Sequence, residues 1–203
     1  MKANPIKNEF IDSLEKGMSS FGYKRITSNA LLGYFDDDIY GLLTISVDSH
    51  RQPGFLFFLG FCGVGSKNVR RKIADVYEEK PKFNIPLISR PIANSVDGSN
   101  LSDIPISNKN GVEELSFSFI ENFKTYESMY IRKNASLPMI LQELRRGDGT
   151  ATWEDSAERR LAILSILSPE EVDGEYSLLM KEGKEKGRFT DRLHNFYGKL
   201  KRF

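Results

Sequence analysis

Cysteine is all but missing from this chain. Cys62 stands alone among 203 residues, so no internal disulfide can form and no metal cage of cysteine thiolates is available. Histidine is nearly as scarce. His50 and His194 are the two; they lie far apart, and neither sits in an H-E-x-x-H or H-x-E setting, so zinc hydrolase chemistry has no visible ligand set. An excess of one charge is also lacking: 29 basic and 28 acidic side chains leave a net charge of +1. Duplex-binding domains draw affinity from basic residues that neutralise phosphates, so nucleic acid is not the expected partner. Long apolar runs are missing too. The longest, Phe55 to Val64, is the length of a strand, well short of the roughly 18 residues that span a bilayer. Met1-Lys2-Ala3-Asn4-Pro5 carries no apolar segment of the kind that directs export. The expectation is a protein of the reducing cytoplasm with no membrane partner.

What is present is globular composition. The chain is 39% hydrophobic with 14 Phe and 8 Tyr, against 28% charged residues, which is outside the regime of disordered chains. Asn4-Pro5 reads as a helix cap with proline in the first turn, and Ile6, Phe10, Leu14, Met18 and Phe21 form one apolar stripe that Gly22 stops. Period two follows. Leu43, Ile45 and Val47 alternate with Leu42, Thr44, Ser46 and Asp48, and Phe55 to Val64 is apolar on both faces, as a central strand is. Asp36-Asp37-Asp38 and Gln52-Pro53-Gly54 supply turns. Earlier strands fall near Tyr23 to Ile26 and Leu31 to Phe35, and an edge strand near Leu87 to Ile92.

Helical spacing returns from Asn68 with Val69, Ile73, Val76 and Tyr77. Beyond the Ser- and Asn-rich stretch 94–110, the chain reads as mainly helical. Leu115, Phe117 and Phe119 also alternate with serines, so a short strand could precede the helix there. Asp155 with Glu158 fits a capping box, and Ser168-Pro169 restarts a helix. The predicted fold is α+β: an antiparallel β-meander packed by helices, with a mainly helical C-terminal half. One domain over 1–203 is expected, with 94–110 as the place for a subdomain boundary.

Each tempting motif has a plainer reading. Gly63-Val64-Gly65-Ser66-Lys67 lies between a strand and a helix, but a phosphate loop requires lysine before the hydroxyl residue. Asn68 occupies the third glycine's place in a dinucleotide pattern. The glycines are expected instead to let the chain leave its strand and turn. Asp36, Asp37 and Asp38 read as a charged turn or an acidic prong, since adjacent turn acids rarely converge on a cation. No metal and no cofactor are predicted, and no catalytic residues are assigned. Cys62 should share a strand face with Phe58, Gly60 and Val64 as a buried, inert thiol. From Lys181 to Phe203, eight bases face three acids, a pattern expected of a solvated helix face.

Phe21-Gly22-Tyr23-Lys24-Arg25, Gly33-Tyr34-Phe35, Gly41-Leu42-Leu43-Thr44-Ile45-Ser46-Val47 and Phe55-Leu56-Phe57-Phe58-Leu59-Gly60 together resemble a family of small uncharacterised bacterial domains. Members occur near polymorphic toxin genes, alongside immunity proteins. The resemblance covers Phe10 to Val64, about the first third of the chain. It implies an α+β fold and a non-catalytic role: binding and neutralising a cognate toxin. Asp36, Asp37 and Asp38, together with Trp153, Glu154 and Asp155, are the residues expected to meet that protein partner. The competing expectation is a hydrolase or nuclease with an unfamiliar site built on Asp36 to Asp38 or on His50.

Overall fold

A computed structural model describes residues 5–92, 101–147, 151–188 and 190–202. Asn4, the expected first cap, and residues 94–100 of the expected boundary loop lie outside these. The chain opens with helix α1 (Pro5–Met18) and a 3-10 turn ending at Gly22, whose φ of 80° provides the left-handed stop. Four strands follow: β1 (Lys24–Thr27), β2 (Ala30–Tyr34), β3 (Ile39–Asp48) and β4 (Phe57–Ser66). Helix α2 (Lys67–Tyr77) then leads to β5 (Ile88–Ile92). The five strands lie in sequence order, each antiparallel to the next. The predicted meander is therefore present, with β5 on its edge.

The described residues beyond β5 are mainly helical: α3 (Lys109–Tyr126), a π turn over Glu127–Ile131, α4 (Leu137–Arg146), α5 (Trp153–Leu167), α6 (Val172–Glu185) and α7 (Asp191–Leu200). The segment from Leu115 to Phe119 is helix, not strand. Leu115 and Phe119 are buried while Phe117 points out at 66% exposure; a strand would have put all three on one face.

One face of the sheet carries the core. Leu31, Leu43, Ile45, Phe58, Cys62, Val64, Ile88 and Ile92 join one buried cluster with side chains from all seven α-helices, from Phe10 of α1 to Phe196 and Leu200 of α7. Phe10 anchors it, 4.1 Å from the Phe58 ring and edge-on to Phe119 at 5.4 Å. Cys62 lies on this face as expected, and burial pushes its thiol up to about 12. The other face holds a small second cluster of Ala30, Leu32, Tyr40 and Leu42, with Phe83 against it.

The glycines of β4 do not do what the sequence suggested. Gly60 and Gly65 are inside the strand, which runs on to Ser66. Their missing side chains leave room for rings: Phe119 lies over Gly60 on the core face, and Tyr40 lies over Gly65 on the other. The turn into α2 is made instead by Ser66, which caps the helix by accepting the Val69 N–H.

Candidate functional site

The β2–β3 hairpin tip is a locked acidic turn. Asp36 Oδ1 accepts the backbone N–H groups of Asp38 at 2.7 Å and Ile39 at 2.6 Å, fixing the loop from within. The Asp38 carboxylate turns inward. It accepts the Ser66 hydroxyl at 2.8 Å and the Asn68 N–H at 2.8 Å, while the Asp38 carbonyl accepts the Lys67 N–H at 3.0 Å. Asp38 thereby places a negative charge on the first turn of α2, where the helix dipole favours it. Asp36 and Asp37 remain exposed, and beside them Tyr34 is 59% exposed with the Lys67 ammonium 4.1 Å above its ring. His50 lies past the far end of β3. Ten residues of strand separate it from the aspartates, about 30 Å at the ordinary rise, so the two cannot share a site.

A second polar assembly lies where α2, α5 and α7 meet. Arg70, Ile73, Ala74 and Tyr77 of α2 face Asp155, Glu158 and Arg159 of α5 and Arg192 of α7 across a cavity of about 210 Å3. Arg192 grips Glu158 with both arms, Nε to Oε1 at 2.8 Å and Nη2 to Oε2 at 2.9 Å, and holds Asp155 at 2.8 Å. Tyr77 donates its hydroxyl to Glu158. Burial first, and then that donation, push the phenol up to about 12. Arg70 and Arg159 are buried deeper. Each donates to a backbone carbonyl of the chain entering β5, Arg70 to Pro86 at 2.5 Å and Arg159 to Leu87 at 2.6 Å.

No protein-family model, curated protein or solved structure matches the chain.

The six residues expected at a partner surface do not converge. Asp38 holds the start of α2, whereas Asp155 lies by its end; eleven residues of helix separate the two, about 15 Å. Trp153 packs inward. A Cβ on Gly183 of α6 would come within 2.7 Å of the indole, so the ring clamps α5 to α6 through that glycine. Glu154 is half-buried in the first turn of α5. Asp155 does not open a capping box with Glu158. Thr152 is the cap, its hydroxyl accepting the Asp155 N–H at 3.2 Å, and Glu158 is buried one turn deeper against Arg192.

The basic C-terminal segment is partly neutralised within the fold. Arg192 pairs with Asp155 and Glu158, Lys201 with Asp173 at 2.8 Å, and Lys186 with Glu182 at 2.8 Å. His194 lies 2.7 Å from the Tyr176 hydroxyl through Nδ1. Among the described residues, no three His, Cys, Asp or Glu side chains group as a cation site, and no helix is long and apolar enough to cross a membrane.

No motif marks these arginines in the sequence, yet their spacing carries a signal. Arg70 falls on the same helical face as Ile73, Ala74 and Tyr77, and Glu158 on that of Leu161 and Ala162. A charge at a core-facing position has to find a partner once buried.

Proposed function

We propose that this chain is a non-catalytic binding protein of the immunity type, acting in the bacterial cytoplasm by occluding a cognate toxin. The observation that carries the reading is the β2–β3 tip, where Tyr34 is 59% exposed beside the exposed Asp36 and Asp37 on a turn locked by its own hydrogen bonds. Exposed aromatic anchors dominate the energetics of protein interfaces. A prong already rigid before contact loses little freedom on docking, and its two outward carboxylates would steer a basic partner surface. The resemblance of Phe10 to Val64 to domains found with immunity proteins supports the same role, since that segment contains the whole hairpin.

Co-expression with the product of the adjacent gene, followed by size-exclusion chromatography and calorimetry, tests the reading. A stoichiometric complex that suppresses toxicity is expected, and Tyr34→Ala should weaken it at least about tenfold, the loss of one anchor, without lowering Tm. A neighbouring toxin that is neither bound nor neutralised would end the reading. A complex indifferent to Tyr34→Ala combined with Asp37→Ala would remove the hairpin from it.

A further inference from the structure

The cavity between α2, α5 and α7 is lined by more cations than carboxylates, and two of the cations are buried. Four cations line it: Arg70, Lys82, Arg159 and Arg192. Glu79 holds Lys82 at 3.0 Å, and Glu158 is fully engaged by Arg192 and Tyr77. Asp155 is committed to Arg192 at 2.8 Å and approaches Arg159 no closer than 3.9 Å. Arg70 and Arg159 are thus left with neutral oxygens as acceptors: the Pro86 carbonyl and the Tyr40 hydroxyl for Arg70, the Leu87 carbonyl for Arg159. Arg70 is 8% exposed, and its Nε–H donates to nothing among the described residues. The two guanidiniums donate to carbonyls of adjacent residues, Pro86 and Leu87, and burial first, then the charge of Arg70, push Arg159 down to about 10. A buried donor without an acceptor and a buried charge whose carboxylate is 3.9 Å away and shared are each expensive to maintain. One small anion in the cavity would satisfy both.

We infer that this cavity binds a phosphate group, held by Arg70 and Arg159 with Lys82 at its mouth. Guanidinium forks match the oxygens of a tetrahedral oxyanion in pairs. Tyr77, whose proton is already given to Glu158, presents its oxygen to the Arg192 Nε–H at 3.3 Å and adds no negative charge. The cavity, at about 210 Å3, is below the roughly 300 Å3 at which whole drug-sized ligands are enclosed. It takes a phosphate alone, or the phosphate end of a monoester whose remainder stays in solvent past Lys82 and Ile85, both exposed. This assignment is independent of toxin binding.

The test is titration of the intact chain with inorganic phosphate at constant ionic strength, balanced with chloride, with Tm and the calorimetric Kd as readouts. A saturable rise in Tm that chloride does not reproduce is expected. Arg159→Gln should raise Kd at least about tenfold, the loss of a charge-assisted pair. Lys82→Glu changes a side chain that is 56% exposed and outside the core, and it should raise Kd several-fold. Phenyl phosphate run in parallel separates the sources: tighter binding than phosphate identifies a monoester end, weaker binding identifies the free anion. An equal response to chloride, no response at millimolar phosphate, or unchanged Kd in Lys82→Glu and in a folded Arg159→Gln would overturn the assignment.

Discussion

Asp37 and Asp38 are chemically identical neighbours with opposite fates. Asp37 is exposed, whereas Asp38 holds Ser66 and the Asn68 N–H and so ties the hairpin to the start of α2. Replacing a capping carboxylate costs about 1 kcal/mol, up to about 2 where further hydrogen bonds depend on it. Asp38→Ala is therefore expected to lower urea stability by about 1.5 kcal/mol, and Asp37→Ala to stay within about 0.5 kcal/mol. Equal effects from the two would show that the Asp38–Ser66 link is not made. The run of three acids was legible as a turn, but not which member would turn inward. That depends on Ser66, which lies 28 positions away and arrives only when β3 and β4 pair. Trp153 has the same character: it was expected at a partner surface, but its ring packs over Gly183, thirty positions on.

At the scale of elements, hydrophobic period was a sufficient guide to the meander and to most helices, because buried stripes recur at 2 or 3.6 residues whatever lies around them. It misjudged ends and exceptions. Phe117 mimicked a strand because three alternating apolar residues satisfy both periods; only packing chose between them. The start of α5 was placed three residues late, since Asp155 and Glu158 imitate a capping box that Thr152 renders unnecessary. Thr152→Ala is expected to lose about 1 kcal/mol. Asp155→Ala, which removes one half-exposed arm of the Arg192 pair, should lose less than about 1 kcal/mol. Denaturant midpoints of the two variants check this, and the opposite order would restore Asp155 as the cap.

Across the whole molecule, the C-terminal helices are joined by buried carboxylates that reach between elements. Glu175 of α6, 5% exposed, receives Arg145 of α4 at 2.7 Å and Arg160 of α5 at 2.6 Å. Glu143 of α4 receives Arg90 of β5 at 3.4 Å, and Glu158 of α5 receives Arg192 of α7. The sequence shows such a charge only as a break in an apolar stripe, and not which partner on another element it meets. Burial opposes ionisation of Glu175, but the hydrogen bond from Arg145 and the charge of Arg160 outweigh it and leave the carboxyl below its ordinary 4.5. The sign follows. A carboxyl held lower in the fold than in the open chain stabilises the fold at every pH above about 4.5, and that contribution disappears as pH falls through the folded value. Glu175→Gln removes the charge but keeps the shape, leaving Arg160, at 13% side-chain exposure, with the more distant Glu182 at 3.9 Å as its carboxylate. It should cost about 3 kcal/mol at pH 7, as breaking a buried pair does. Below pH 4.5 the open chain begins to take up the proton, and as pH falls through the lower folded value the parent loses its own charge too, so the gap between parent and variant must narrow. Urea unfolding of both proteins from pH 7 to pH 3 measures that gap directly. A gap that stays constant would mean that Glu175 acts through packing alone, and one that widens would mean that its carboxyl is held above its ordinary value, protonated, between two arginines that do not bind it.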